Sequence, residues 1–301
     1  MTVTVVVVSY NVAPLLIRCV RSAEAALSEV GGGEIIVVDN ASGDESVELL
    51  NRAASTVELM VNTENVGFGA ACNQGLARAK AERVLFLNPD AELGAGALAA
   101  MVTRLESQPA IGLVGPRVRY PDGRPQPTRR RFPTPAALFL EATPLEWRGP
   151  RWAALARFYR DDAPEISSPE DWLSGACLLG RVAALRGVGG FDSDFFMYFE
   201  EVDLARRLAA HGWETWYEPA AQLTHGHGKS ADQDVAARDR MYYGSKYRYA
   251  ARYFGRTNAR LLRLSGAALL AVELALQRRR GNRAGVERYQ ALVRWHLSGE
   301  S

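Results

Sequence analysis

Residues 3–11 read Val-Thr-Val-Val-Val-Val-Ser-Tyr-Asn, and the fold follows from this stretch. Six consecutive β-branched residues favour an extended backbone. A strand with one wet face alternates apolar and polar side chains. This run is almost continuously apolar, so it reads as a strand buried on both faces, as in a parallel sheet covered by helices. It stops at Ser9-Tyr10-Asn11.

The same pattern recurs downstream. Pro14 suits a helix first turn, and the apolar spacing through Val30 is helical. Glu34–Val38 (EIIVV) is a second buried strand and ends in Asp39-Asn40-Ala41-Ser42. Ser42 and Glu45 have capping-box spacing ahead of a helix through about Ala54. Val57–Val61 is a third strand, ending in Asn62 to Asn65, and Gly67–Lys80 reads as loop then helix. Arg83–Leu87 (RVLFL) is a fourth, ending in Asn88-Pro89-Asp90. An Ala-rich helix from about Gly94 to Gln108 and a fifth strand, Ile111–Val114, follow. Strands alternating with helices predict an α/β, mostly parallel, doubly wound sheet with right-handed crossovers. Ligands of such sheets lie beyond the carboxyl ends of the strands.

Pro116–Pro135 breaks the pattern, with five prolines in PRVRYPDGRPQPTRRRFP and arginines at 129–131, and reads as a surface loop. Trp172–Gly180 (WLSGACLLG) resembles a strand entering a buried site. Glu200–His211 reads as a short helix, Trp213–Tyr217 and Gln222–His225 as two strands, and the chain beyond about Gln233 as helices rich in Arg, Tyr and Leu.

The 301 residues, 48% hydrophobic, suffice for one large α/β domain or a domain with an appendage. The net charge of +2 hides an asymmetry: residues 229–301 hold 15 Lys/Arg against 6 Asp/Glu, while the rest hold 21 against 28. The basic tail fits a phosphate-rich surface such as a membrane leaflet or lipid diphosphate, or equally solvated helix faces. Cys19, Cys72 and Cys177 are too few and too scattered for a disulfide framework, which fits a reducing compartment. MTVTVVVVSYN lacks a basic n-region and a cleavage site. Leu264–Leu276 is interrupted by Glu273 and too short for a membrane span, which takes about 20 residues. A cytoplasmic protein, soluble or peripheral at the inner membrane face, is expected.

Four strand tips carry polar residues to one sheet edge, where they can read a nucleotide and hold a metal; each tip alone also suits ordinary turn chemistry. Asn88-Pro89-Asp90 fits an oxygen-ligand cation site, or a turn whose Asp90 caps the next helix. Glu200, Glu201 and Asp203 follow the aromatic run Phe195–Phe199. They serve either as macrodipole partners of a helix start or as a general base whose pKa is raised by apolar neighbours. His225 and His227, flanked by glycines and followed by Lys229-Ser230, suggest metal ligation or phosphate contact.

The ordered set SYN, VDNAS, NxGF, LNPD, LSGACLL, GGFD, FxYFEEVDL and HxxG resembles the family 2 inverting glycosyltransferases of the GT-A fold, closest to their rhamnosyltransferase-like members, over roughly residues 3–230. The resemblance implies a GT-A-type (Rossmann-like) catalytic domain over 1–230, with a nucleotide-sugar half (1–115) and an acceptor half (116–230). A basic helical region follows at 231–301. It implies nucleotide-sugar binding by Ser9, Tyr10, Asn11, Asp39, Asn65, Gly67, Phe68 and Asn88. Asp90 and His225 would ligate Mg²⁺ or Mn²⁺, Glu201 would be the base, and Trp172, Ser174, Gly175 and Glu200 would face the acceptor. Asn88 stands where the general D-x-D motif has Asp, and Glu201 where the usual base is Asp. The implied reaction is direct displacement, moving a sugar, first of all rhamnose from dTDP-rhamnose, to a carbohydrate or lipid-linked acceptor in cell-envelope polysaccharide or glycolipid synthesis.

A dinucleotide-binding oxidoreductase would need G-x-G-x-x-G after the first strand, where SYNVAP has no glycine; Gly67-Phe68-Gly69 follows the third strand and has Cys72 at the third small position. A nucleotidyltransferase would need a Gly-rich basic loop at the same place. The two departures at 88 and 201 leave a non-catalytic nucleotide-sugar-binding or scaffold protein as the alternative. No nucleic-acid partner is expected. Docking of the basic helices on a membrane, packing on the catalytic domain, or a homo-oligomer remain open.

Overall fold

The computed structural model describes residues 2–53, 57–148, 155, 158–160, 164–226 and 235–298. Its strands are β1 (Val3–Ser9), β2 (Gly33–Asp39), β3 (Glu58–Val61), β4 (Arg83–Leu87), β5 (Ala91–Leu93), β6 (Ile111–Arg119), β7 (Arg129–Arg130), β8 (Ser168–Glu170), β9 (Trp172–Leu173), β10 (Cys177–Arg181) and β11 (Glu214–His225). Its helices are α1 (Ala13–Glu29), α2 (Ser46–Ala53), α3 (Phe68–Arg78), α4 (Ala97–Ser107), α5 (Pro135–Leu140), α6 (Pro144–Arg148), α7 (Val182–Gly187), α8 (Glu200–Ala210), α9 (Val235–Phe254), α10 (Arg256–Arg279) and α11 (Arg283–Ser298).

Two compact units result. One comprises residues 1–130, 160–196 and 200–230; the other gathers 131–159, 197–199 and 231–301. Among the described residues, the first unit holds one mixed sheet in the order β3-β2-β1-β4-β10-β6-β11-β5, with β8 on β11 and a separate β7–β9 pair. The β3-β2-β1-β4 half is parallel, as is β6 with β11; β10 and β5 run antiparallel to their neighbours. The result is the α/β, mostly parallel architecture expected, with antiparallel strands added.

The continuous apolar runs are explained by burial on both faces. Val3, Val5, Val7, Ile35, Val37, Leu85 and Leu87 enter one core under α1 and α4. Val6, Val8, Ile36, Val38, Val84 and Phe86 enter the other under α3, α7 and α8. Successive strand residues point to opposite faces, so a run without polar interruption needs helices on both.

Several expectations need correction. Ser42 is not a helix cap; Asp44 is. Asp44 Oδ2 accepts from Ala13 N at the start of α1 (3.0 Å), and its Oδ1 accepts from Ser46 N at the start of α2 (3.0 Å). Asp90 does not cap α4, because Ala91–Leu93 intervenes as a strand on β11. Residues 116–135 are not merely a surface loop. Strand β6 continues through Pro116 to Arg119, and Pro116 stands opposite Glu218 at a register shift in β11, where a missing N–H is tolerated. Arg129 is buried, ion-paired to Glu170 at 2.8 Å and stacked over Tyr217. The two strands read at 213–217 and 222–225 are one strand with that irregularity.

In the second unit, Tyr243, Tyr247, Leu270 and Leu292 form a core joined by Tyr289, Val293 and Trp295. Arg263 of α10 donates to the carbonyls of Trp295 (2.8 Å) and His296 (2.7 Å), satisfying the end of α11. Among the described residues no helix is long and apolar enough to cross a membrane.

Candidate active site

Strands β1 and β4 are neighbours, so the Ser9 and Asn88 tips adjoin at the carboxyl edge of the sheet. Ser9 is fully buried and its Oγ lacks a hydrogen-bond partner in the protein. Tyr10 is 36% exposed at the same tip. Asn11 adopts a left-handed backbone (φ 54°), which Asn tolerates, and its Oδ1 accepts from Gly43 N at 2.7 Å. The Asp39 carboxylate accepts from Ser42 N (2.9 Å) and Ser42 Oγ (2.6 Å); Ser42 Oγ in turn accepts from Asn11 N (3.0 Å). The β1 and β2 tips are thereby stitched together.

Asn40 is the hub of the next pair of loops. Its amide donates to Asn65 Oδ1 (2.8 Å) and the Gly67 carbonyl (3.2 Å), and its Oδ1 accepts from Asn62 Nδ2 (3.0 Å) and Val66 N (3.1 Å). Gly67 sits at φ 87°, and a Cβ there would meet the Phe196 carbonyl at 2.5 Å, so only glycine fits. Phe68 N donates to that same carbonyl (2.9 Å).

The β4 tip faces the end of β11. His225 is buried; its Nδ1 lies 2.9 Å from Gln126 Oε1, an acceptor, so Nδ1 carries the proton. Nε2 then accepts from the Asn88 amide N–H (3.3 Å), and Asp90 Oδ1 lies 3.1 Å from the same nitrogen. The Asp90 side chain is only 6% exposed, and Gly226 N donates to the Asp90 carbonyl (2.9 Å). A carboxylate oxygen and an imidazole lone pair facing each other repel unless a cation or proton lies between them. Hard divalent cations use one or two such protein ligands and complete their shell with water and phosphate oxygens. Among the described residues there is no cluster of three or more His, Cys, Asp or Glu. His227, Lys229 and Ser230 lie outside the described residues.

The Ser174–Ala176 turn joins this corner to the acidic pair. Ala176 O accepts from Asn88 N (3.0 Å), and Ser174 N donates to Thr128 O (3.0 Å). Gly175 N–H donates to the Glu201 carboxylate, and a Cβ on Gly175 would lie 3.8 Å from Glu201 Cγ. Trp172 is held by pairing with Arg130, whose charge also faces Glu201. Glu200 turns the other way: its Cβ is 3.5 Å from where a Gly69 Cβ would be, and its charge reaches Cys72. It thus sits beside α3. Asp203 accepts from Arg207 Nε (2.7 Å), and Arg207 also bonds the carbonyls of Val188 and Gly190.

Burial raises the pKa of Glu200 well above the usual carboxylate value, and the Glu201 charge raises it further. Burial also raises Glu201, against backbone donors and the Arg130 charge that favour its ionised form. Both carboxylates retain a buried oxygen, Oε2, without a protein partner. Glu200 has one backbone donor, its own, whereas Glu201 has several backbone donors and the Arg130 charge, so ionisation is favoured at Glu201 over Glu200.

Sequence patterning pointed to Asp39, Asn65, Asp90, Glu201 and His225 but missed Asn40 as hub, Gln126 behind His225, and Arg130 opposite Glu201. Asn40 sits inside a recognised tip, where the count of polar neighbours was its signal. Gln126 and Arg130 lie in the proline-rich run; the arginines at 129–131 stand out there, but nothing local ties either residue to the site.

Residues 4–186 match the profile of Glycosyl transferase family 2. The chain is 32% identical over 261 residues to the N-acetylglucosaminyl-diphospho-decaprenol L-rhamnosyltransferase of Mycobacterium tuberculosis, covering 82% of this chain and 83% of that one. A Pre-mycofactocin glycosyltransferase from the same organism is 31% identical, matched over 89% of this chain and 51% of its own length. Among solved structures, the mannosyltransferase PcManGT of Pyrobaculum calidifontis, in complex with GDP-Man and Mn²⁺, superposes with a TM-score of 0.57 at 20% identity, over 98% of this chain and 86% of that one. GalNAc-T7 with UDP, GalNAc and Mn²⁺ gives 0.59 at 17% identity, over 85% and 51%.

Proposed function

The chain belongs to glycosyl transferase family 2, and from that premise we propose that it moves rhamnose from dTDP-rhamnose onto a hydroxyl of a lipid-linked sugar acceptor, with inversion, in cell-envelope glycan synthesis. The rhamnosyltransferase relative and its diphospho-decaprenol acceptor support the sugar and the acceptor class. UDP-sugars are the next donors to test. The unit of residues 1–130, 160–196 and 200–230 is the catalytic one, with donor contacts before residue 116 and acceptor contacts after it; the unit that gathers 131–159, 197–199 and 231–301 is the helical appendage.

One observation carries the reaction: a single turn, Gly175-Ala176, holds Glu201 through one peptide and Asn88 through the next, with Asn88 in turn on His225. Asp90 and His225 would hold Mg²⁺ or Mn²⁺, which when bound neutralises charge on the departing diphosphate. Gln126 accepts from His225 Nδ1 and so leaves the lone pair on Nε2, and the Asn88 N–H that meets this lone pair would give way to the ion. Glu201 takes the proton from the acceptor hydroxyl as its oxygen bonds the anomeric carbon and the bond to the phosphate oxygen breaks. The Gly175 N–H and the Arg130 charge favour the ionised Glu201 against its burial, while burial and the Glu201 charge favour the protonated form of Glu200. Ser9, Tyr10, Asn11, Asp39, Asn65, Gly67 and Phe68 bind the nucleotide; Trp172 and Ser174 line the acceptor side. Positioning and charge placement supply the rate enhancement.

The test is a donor panel with a short-chain N-acetylglucosaminyl-diphospho-prenol and Mn²⁺, product anomers read by NMR. Transfer from dTDP-rhamnose with inverted configuration, abolished by chelator, is expected. Transfer that survives exhaustive chelation, or a retained configuration, contradicts the mechanism; nucleotide binding without turnover of any donor contradicts the transferase assignment of these residues.

A further inference from the structure

A second cleft lies wholly within the helical unit, among α5, α9 and α10, with a volume of about 300 Å³. Of the described residues lining it, only Asn258 and Ser265 are polar; Leu138, Phe139, Phe254, Leu261 and Leu262 form most of the wall. The cleft opens onto an apolar stripe. Leu261, Leu264 and Val272 of α10 are 60%, 57% and 58% exposed. At 100° per residue these three fall within about 80° of one another on the helix. Long apolar side chains aligned on one exposed face, continuous with an apolar cleft, mark a surface that is covered in use.

Charge identifies the cover. From Arg240 to Val272 the sequence holds seven basic residues and no acidic one. Arg252, Arg256 and Arg260 are exposed, and Arg256 and Arg260 stand on α10 one to five residues before Leu261. An apolar protein partner would have to bury these guanidinium groups. An anionic bilayer accepts both parts at once, with phosphates for the arginines and hydrocarbon for the leucines. We propose that α10 lies in the interface of an anionic phospholipid bilayer and that the α5–α9–α10 cleft receives one hydrocarbon tail of such a lipid. This stands apart from sugar transfer and is read without it.

The test is co-sedimentation of the full chain with vesicles of phosphatidylcholine alone and of phosphatidylcholine mixed with phosphatidylglycerol. Binding at least about tenfold tighter to the mixed vesicles is expected, with the preference lost in Arg256→Glu/Arg260→Glu. Leu261→Glu places a charge at an exposed position without disturbing a core, and abolishes binding to both. Ser265→Phe fills the cleft while leaving the surface charge unchanged, and weakens binding severalfold. Equal binding to both vesicle types, or wild-type binding by Leu261→Glu, overturns the bilayer proposal. Wild-type binding by a Ser265→Phe protein with an unchanged melting temperature overturns the tail in the cleft. If that variant melts early, quenching of a tryptophan introduced at Phe139 by tail-brominated lipid decides the same point: quenching supports the cleft, its absence overturns it.

Discussion

The carboxyl edge of the sheet has two ends built on opposite principles. At the β1–β3 tips the polar side chains, Ser9 Oγ excepted, satisfy one another: Asn40 alone makes four hydrogen bonds, and Asp39 receives two from Ser42. At the β4–β11–α8 corner, polar groups confront one another. Asp90 faces a lone pair on His225, and Glu200 and Glu201 keep buried oxygens without protein partners. A closed network shapes a pocket at little electrostatic cost; an open one stores charge for an incoming ion or proton.

The sharpest break between the two ends comes from Glu201→Gln, which lowers transfer by about a thousandfold with nucleotide affinity unchanged, because a positioned base contributes roughly 10² to 10⁴. Full activity in this variant places the base elsewhere. Because burial raises the Glu201 pKa, wild-type activity should fall away on the acid side at a pH above the ordinary glutamate range. Asp90→Ala follows, with an expected loss of about a hundredfold in Mn²⁺-dependent affinity for the nucleoside diphosphate, read by calorimetry. Unchanged affinity would make Asn88-Pro89-Asp90 a turn and nothing more.

The closed end predicts a different signature. Asn40→Ala removes four hydrogen bonds to the single loop from Asn62 to Gly67 and should cost about 2 kcal/mol of folding stability, since stranded buried polar groups cost roughly 1–3 kcal/mol. Its catalytic constant changes far less than that of Glu201→Gln. Gln126→Ala frees the His225 tautomer and should weaken Mn²⁺ binding about tenfold, the lower bound for an outer-shell partner, in a titration without donor. The smallest effect belongs to Glu200→Gln. The folded protein holds the Glu200 proton above the pH at which the unfolded chain releases it, so the wild type loses stability as pH rises through that window. The glutamine variant lacks this loss and should melt higher than wild type at pH 8, with the gain vanishing near pH 4.

Much of the parallel half was legible because β-branched runs without polar interruption demand two covered faces, and because each run ended in Asn, Asp, Ser or Gly. Elements of two or three residues were not. Strand β5 is Ala91–Leu93, and β7 is Arg129–Arg130; each exists only because a distant strand supplies its hydrogen bonds. The proline-rich run misled for the same reason. Arg129 is buried because Glu170, 41 residues away, neutralises it, and Gln126 matters because His225 lies 99 residues on. The orientation of Glu200 also escaped sequence reading, since adjacent residues at a helix start face about 100° apart and no local feature says which faces the cleft.

The central claim is that Asp90 and His225 hold the cation that meets the donor diphosphate. Pulsed electron paramagnetic resonance of the protein with Mn²⁺ and a nucleoside diphosphate tests it directly. Coupling to an imidazole ¹⁴N and to ³¹P in one spectrum is expected, with the nitrogen coupling lost in His225→Gln. Phosphorus coupling without nitrogen coupling in the wild type, or a nitrogen coupling that persists in the variant, would contradict it.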